Sequence, residues 1–568
     1  MNKTLLCLLA LAPLSIYESR ADIKMPAIFG DHMVLQQEKT LPVWGWAAAG
    51  EKVTVIFGDP SEHHTAEATT GPDGKWHADL AALPEGTAPG VLTIVGKNTI
   101  TIQDVLVGDV WLCSGQSNME FSTNKAQAVD ATDNQIRLFH VPHQLAIGPR
   151  EDVTAKWQVC TPETLPGFTA VGYFFGKDLR AALKRPIGLI ESSWGGTPAQ
   201  SWTSIPALQA DPVLTHYADS YKAIADKFSG GDDEFAAKTA EADAAIAKWN
   251  TALMADAAYQ DALKAWHTAA DQARAAKQTP PPQPTPPVPR PPGVAGGAGT
   301  PSMLFDGMIN PLIPYAIKGV IWYQGESNAG FAMEYRTLFP AMITDWRTRW
   351  KMADLPFLFV QLANFMAAPK TAGENSAWAI LRESQVKTLA LPKTGMAVII
   401  DIGTGGGIHP PDKKDVGSRL ALAARHVAYG EKLVYTGPMY DALKIEGAKA
   451  RVSFKPDSIG GGLVIGSAPW TDPQAAPVSK TDLQGFAIAG EDKNWVWADA
   501  KIDGNDVVVS SPDVPQPVAV RYAFANNPTC NLYNKEGLPA SPFRTDDWQS
   551  SAPAKAPAVP SATPVPVK

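Results

Sequence analysis

The run VLVGDVWLCSGQSNMEF, from Val105 to Phe121, decides the fold. Its first half is apolar through Cys113 and reads as a buried strand. The strand ends in Ser114-Gly115 and passes into a polar turn, so the turn residues point out at the edge of the sheet. That is where open α/β sheets build their sites. Ser117 is then either a nucleophile or the cap of a helix beginning near Met119. The stretch alone leaves both readings open.

Working outward, apolar strands alternate with helical stretches from about Asp104 to Gly430. PIGLIESS, IKGVIWYQG, PFLFVQLAN and GMAVIIDIG read as strands, and VGSRLALAARHVAY as a helix. The alternation predicts an α/β fold: a parallel sheet with helices on both faces. This region, residues 104–430, carries an insertion at 211–300. There Ile246, Trp249 and Leu253, then Tyr259, Leu263 and Trp266, fall at helical spacing and predict a helical hairpin with a narrow apolar seam. The run TPPPQPTPPVPRPPGVAGGAGT that follows is predicted to be an extended or mobile linker. Before the α/β region, residues 22–103 show short alternating segments such as KTLPVWGWA and EKVTVIFG, the pattern of a small β-sandwich. After it, residues 431–548 return to short strands, and residues 549–568 read as a disordered tail.

The 568 residues allow roughly three domains. The mix of 45% hydrophobic and 19% charged residues is that of a globular protein, and the net charge of -8 with no Lys/Arg block excludes a nucleic-acid partner. Lys3, the apolar run Leu5 to Leu14 and the small residues Ser19 and Ala21 form an export signal, residues 1–21, with cleavage expected after Ala21. No later apolar run is long enough to span a bilayer. The mature protein is expected to be periplasmic or secreted and free of the membrane. Cys7 lies in the signal, which leaves Cys113, Cys160 and Cys530 and at least one free thiol. No Cys-x-x-Cys or His-Glu-x-x-His pattern occurs, so no metal is expected. His63-His64 reads as a solvated loop.

Four places carry candidate chemistry. Ser117 is the first. In ESSWGGTPAQSW, Gly195 and Gly196 follow a strand ending near Glu191, where two glycines let backbone N–H groups approach a ligand. In WYQGESN, Gln324, Glu326 and Asn328 follow the strand Val320–Tyr323, and the Gln324 amide could donate to a developing oxyanion. In DIGTGGGIHPPDKKD, His409 sits on a Gly/Pro-rich loop after a strand ending at Asp401 and is a candidate general base. The set amounts to a serine, an oxyanion site and a late histidine. It is not the α/β-hydrolase elbow Gly-x-Ser-x-Gly, because Met119 stands at the second glycine position.

GQSNM, SSWGGT, WYQGESN and IHPPDK together resemble the nucleophile, glycine, third and histidine blocks of the sialate O-acetylesterase family, within the SGNH-type hydrolases. FGDHMVLQQ, PVWGWA, PFLFVQLANF and NLYNKEGLPASPFRTDDW strengthen the resemblance, which covers most of residues 23–548 apart from the insertion. It implies an SGNH-like α/β/α domain flanked by β-sandwich-like regions. It also implies a serine esterase that removes acetyl groups from sugar hydroxyls with no cofactor. Ser117 would attack the acetyl carbonyl and His409 would shuttle the proton. The N–H groups of Ser117 and of Gly195 or Gly196, with Gln324, would hold the oxyanion. Asn118 and Glu326 are expected at the substrate. SGNH enzymes often carry an aspartate three residues before the histidine, but Gly406 stands there. Asp401 is the expected acid, with a dyad oriented by a backbone carbonyl as the alternative.

The family name points to O-acetylated sialic acid; related proteins act on acetylated xylan or xyloglucan. A dedicated sialate site should offer an Arg or Lys to the carboxylate. Two other classes remain: a carbohydrate-binding protein with an inactive hydrolase domain, suggested by the β-rich regions and 17 tryptophans, and a general esterase or lipase.

Overall fold

The computed structural model describes residues 22–58, 63–124, 131–276, 278–374, 376–468 and 478–548. The expected export signal and the terminal tail lie outside the described residues. The strand expected from Val105 runs over Thr99–Gly115, 17 residues. Its first half pairs antiparallel with Gly90–Val95 in the N-terminal sheet. Its second half is the middle strand of a parallel sheet. One strand therefore belongs to both regions, and the division expected between residues 103 and 104 falls inside it. Asp104, at φ 54°, sits at an irregularity of the antiparallel ladder, and its carboxylate accepts from Arg137 Nη1 at 2.6 Å.

The order across the parallel sheet is Thr394–Ala397, Phe357–Val360, Gly319–Tyr323, Thr99–Gly115, Ile187–Ser193 and Asp133–His140, with Trp157–Cys160 antiparallel at the edge. Alternation along the strands divides their side chains between two layers. Trp111, Cys113 and Tyr323 pack with Phe175 of the helix Ala170–Leu183 and Leu420 of the helix Lys413–Val427. Leu112, Trp322 and Phe359 pack with Phe339 of the helix Tyr335–Arg349 and Leu381 of the helix Ala377–Thr388. The result is a large mixed sheet with helices on both faces. Three of these helices begin at a side-chain cap: Thr169 accepts from Gly172 N, Ser376 from Ala379 N and Asp412 from Asp415 N. Each such cap stabilises a helix start by about 1 kcal/mol.

The middle strand has neighbours that were laid down in opposite directions along the chain. Ile187–Ser193 lies on one side and Gly319–Tyr323 on the other. This is a switch point, and the crevice it opens at the C-terminal ends of the strands is where Gly115 leads into Ser117.

The segment 211–300 contains the helices Thr215–Ala225, Gly231–Ala255 and Ala257–Ala275. The last two form the expected hairpin. The proline-rich run does not stand away from it. The Trp249 indole donates to Val288 O and the Trp266 indole to Pro281 O, both at 2.8 Å. Cys113, Cys160 and Cys530 are all free thiols. Among the described residues no helix is long and apolar enough to cross a membrane.

The C-terminal strands form small antiparallel sheets with their own core around Val452, Phe486, Val507 and Tyr522. Arg382, fully buried, joins them to the parallel sheet. Its guanidinium donates to the carbonyls of Leu362 and Ala363 at 2.8 and 2.6 Å, and to those of Ala525 and Asn526 at 2.6 and 2.9 Å. Arg382→Met leaves the Leu362 and Ala525 carbonyls without this partner, while Ala363 O keeps the Trp378 indole and Asn526 O keeps the Phe365 N–H. It is expected to cost about 2 kcal/mol or more in chemical denaturation, at one or more kcal/mol per orphaned group. An unchanged denaturation midpoint would show that the staple contributes nothing.

Candidate active site

The site begins with a backbone contact. Gly115 sits at φ 140°, and a Cβ there would lie 2.2 Å from Tyr323 O. Only glycine lets the strand end approach the neighbouring strand this closely. Gln116 N–H then donates to Tyr323 O at 3.0 Å, and Gln116 Oε1 accepts from Ser327 N at 3.2 Å. The nucleophile turn is thus fastened to the third block before Ser117 is reached. Ser117 opens the short helical turn Ser117–Glu120. The N-cap position is held by Gln116 with no side-chain cap, so Ser117 does not cap a helix beginning near Met119 but is the first residue of the turn.

His409 Nε2 lies 2.9 Å from Ser117 Oγ. The ring is half-buried, and the Phe121 ring lies 6.4 Å from it. Burial, and then the Lys413 ammonium, hold the imidazole below its ordinary value, so the neutral form dominates at neutral pH. Gly195 follows the strand Ile187–Ser193. A Cβ on it would fall 3.2 Å from Ser117 Cβ, so its backbone passes directly beside the serine. Gly196 is next, at φ 76°. Ser117, Gly195, Gly196 and His409, drawn from three of the four blocks, converge here.

The other predicted residues are nearby but differently employed. Asp401 does not orient His409. Its carboxylate, nearly inaccessible, accepts from Arg419 Nη1 at 2.6 Å and Nη2 at 2.8 Å, and from Tyr533 OH at 3.1 Å. Both oxygens are engaged by the bidentate guanidinium, which turns the carboxylate away from the ring. Among the described residues no carboxylate hydrogen-bonds His409. Gln324 is not an available oxyanion donor. Its Nε2 donates to Asn328 Oδ1 at 2.7 Å and Thr197 O at 3.3 Å, and its Oε1 accepts from Tyr335 OH at 3.0 Å. Asn118 and Glu326 are not exposed to substrate. They are 0% and 4% exposed, and Asn118 Nδ2 donates to Glu326 Oε1 at 2.6 Å.

Three residues that the sequence reading missed stand around the pair. Glu120 Oε2 accepts from Gly195 N at 2.6 Å, so in the free protein a carboxylate rests on the N–H beside Ser117. Its other oxygen lies 2.8 Å from His143 Nε2, and the His143 ring stacks on Trp194 at 4.0 Å. Lys413 is buried, donates to Asn118 Oδ1 and lies over the Phe121 and Tyr323 rings at 4.9 and 5.5 Å. Glu120 was in the quoted run and gave no distinguishing signal. Lys413 gave one: a lysine at the first position of a helix opposes the helix dipole and needs another reason to be there. Deeper in, burial pushes the Glu191 carboxyl up to about 8, although Thr169 N and Ser193 Oγ donate to it.

The Carbohydrate esterase, sialic acid-specific acetylesterase family model matches residues 304–423. The chain is 30% identical to the sialate O-acetylesterase of Rattus norvegicus over 560 residues, spanning 90% of this chain and 92% of that protein. It is 27% identical to the sialate O-acetylesterase of Homo sapiens over 589 residues, 94% of each. The crystal structure of a carbohydrate acetylesterase from Xanthomonas citri matches with a TM-score of 0.70 at 38% identity, covering 93% of this chain and all of that one.

The Asp401 geometry makes a testable distinction. Asp401→Asn is expected to lower the thermal midpoint while kcat, measured where the variant is folded, stays within about tenfold of wild type. Loss of a triad acid costs about 10⁴ in kcat. A loss of that size in folded protein would return Asp401 to the reaction.

Proposed function

The chain belongs to the sialate O-acetylesterase family, and from that premise we propose that it removes O-acetyl groups from sugars through an acetyl-enzyme on Ser117. Family membership makes it a carbohydrate O-acetylesterase-type hydrolase. The observation that carries the finer reading is the 2.9 Å approach of His409 Nε2 to Ser117 Oγ at the switch point of the sheet. It supports a nucleophile and base in contact.

Ser117 Oγ attacks the acetyl carbonyl as its proton passes to His409 Nε2. The carbonyl oxygen becomes an oxyanion, which the N–H groups of Ser117 and Gly195 are placed to receive once Glu120 has moved off the second. Collapse breaks the bond to the sugar oxygen, which leaves with the proton from His409. Water then attacks acetyl-Ser117, His409 takes a proton from it, and acetate departs as the serine is regenerated. The pair acts as a dyad. Phe121, packed beside the imidazole, and the loop that carries it set the ring's place. This arrangement fits the SGNH-type layout more closely than the α/β-hydrolase elbow.

The relatives' names support O-acetylated sialic acid as substrate. A neutral acetylated sugar, of the xylan or xyloglucan kind, is the second reading. It is favoured by the Glu120 carboxylate at Gly195 N, an anion where a substrate carboxylate would add a second negative charge. The leader-like composition of residues 1–21 supports export.

Acetate release by wild type and Ser117→Ala is the test, run on 9-O-acetylated sialic acid and on acetylated xylan. Ser117→Ala is expected to lose at least about 10³-fold in kcat on whichever substrate is turned over, while it stays folded. Full activity in the variant would end the nucleophile assignment, and the faster substrate decides between the two sugars. The acidic limb of kcat/KM is expected to fall as His409 takes up its proton, at a pH below the ordinary imidazole value. A rate that stays flat down to pH 4 would exclude His409 as the base.

A further inference from the structure

Beneath the Ser117–His409 contact lies a buried cluster that the reaction does not consume. Asn118 is its centre. Its Oδ1 accepts from Lys413 Nζ, and its Nδ2 donates to Glu326 Oε1 at 2.6 Å and to Ile408 O at 3.1 Å. Asn118 is fully enclosed, Lys413 is 1% exposed and Glu326 is 4% exposed. The amide therefore lies with its oxygen toward the Lys413 amine and its nitrogen toward the Glu326 carboxyl. Ile408 O can only accept, so a flipped amide would set its oxygen against that carbonyl, and the orientation is fixed by donor and acceptor chemistry. The three partners come from the histidine loop, the third block and the head of the helix Lys413–Val427. Asn118 itself follows the nucleophile, and Ile408 precedes the base.

We propose that Lys413 is a positioning residue that, through Asn118, clamps the nucleophile turn to the histidine loop and, when protonated, places a positive charge behind His409. The proposal rests on the reading of Ser117 and His409 as the reacting pair. Its geometry is selective. Among the described residues Asn118 is the single side chain bonded both to the third block and to the residue before His409, and Lys413 holds the acceptor end that the other two leave free. Lys413 is almost wholly buried in this position. Its ammonium lies over two aromatic faces, those of Phe121 and Tyr323, and the edge of this cage is the ring that also lies beside His409.

Charge behaves accordingly. Burial drives the Glu326 carboxyl up and the Lys413 ammonium down, and their attraction across the amide opposes both shifts. The charged groups about His409 are Lys413 and Asp412 from the helix head, Glu326 from the third block and Glu120 from the nucleophile turn. Of these, Lys413 acts on the ring, and it disfavours the imidazolium.

Two effects of removing Lys413 oppose one another. Without the ammonium His409 is a stronger base, which helps proton abstraction by a fraction of the pKa change. Without the clamp the turn and the loop lose their common tie, and a misplacement of about 1 Å costs about 10²-fold. The positional loss is the larger.

The experiment compares wild type, Lys413→Met and Lys413→Arg by steady-state kinetics from pH 4 to 9, and titrates the His409 ring of the wild-type protein by NMR. Lys413→Met is expected to lose at least about tenfold in kcat with KM within twofold, and its acidic limb should move to higher pH. Lys413→Arg, which keeps the charge, should leave that limb at its wild-type pH even where kcat falls. The wild-type ring should titrate below the ordinary imidazole value. An acidic limb unmoved in Lys413→Met overturns the proposal, and so does a wild-type ring that titrates at or above the ordinary value. Should Lys413→Met not fold, the ring titration and the arginine variant still decide. An active Ser117→Ala would sink the catalytic reading separately, while the ring titration, repeated in Lys413→Met, would still report whether Lys413 acts on His409.

Discussion

The contact between Ser117 Oγ and His409 Nε2 joins residues 292 positions apart, and much of the chain serves to let it form. Ser117 is fixed from within the sheet, by the strand ending at Gly115 and the close passage of Tyr323 O. His409 is fixed from outside it. The loop that carries it is held at its start by Asp401 on Arg419, and Gly403 N donates to Asn364 Oδ1 at 2.7 Å. The C-terminal region takes part in both supports. Tyr533 OH reaches Asp401, and Asn527 Oδ1 accepts from Asn364 Nδ2 at 2.8 Å. The small β-sheets after residue 431 are thus mechanically part of the site although none of their side chains reaches the serine.

A histidine without a carboxylate partner has different energetics from one in a triad. A carboxylate beside the ring would raise its pKa and favour the imidazolium that forms as the serine proton transfers. Here burial and a lysine lower it. The base of the proposed mechanism is correspondingly weak. In the proposed mechanism the oxyanion donors then carry more of the barrier lowering, and their alignment matters more than the strength of the base. The close passage of the Gly195 backbone beside Ser117, which any larger residue would prevent, fits that division of effort.

The architecture was legible because it follows from periodicity. Continuous apolar runs gave the buried strands, and the helix starts carry capping residues. The middle strand was read too short because Thr99–Thr101 alternates like an exposed hairpin while continuing without a break into the buried run. Glycine blocks and a late histidine were legible as chemistry because few structural needs ask for them in that order. The polar residues of the third block were not. Gln324 and Glu326 look the same in sequence whether they face a substrate or the protein, and only packing shows that Gln324 donates to Asn328 and that Glu326 accepts from Asn118 of the nucleophile block. Asp401 failed for a related reason. Its closeness in sequence to His409 made it a candidate, but Arg419, on the following helix, takes both oxygens.

Glu120 brings these constraints together at the point of reaction. An oxyanion and a carboxylate oxygen ask the same thing of the Gly195 N–H, which cannot satisfy both. The Glu120 carboxylate accepts from it. In the proposed reaction the oxyanion takes the place of that carboxylate oxygen. The local charge changes little if Glu120 swings toward His143, which already holds its second oxygen. The His143 ring is flat against Trp194, so it is a fixed post for that movement. A neutral sugar acetate meets one negative charge as its oxyanion forms; a sugar with its own carboxylate meets two unless that carboxylate is held away from Glu120. In the proposed reaction, placement of the substrate's charge relative to Glu120 is then what separates one acetylated sugar from another.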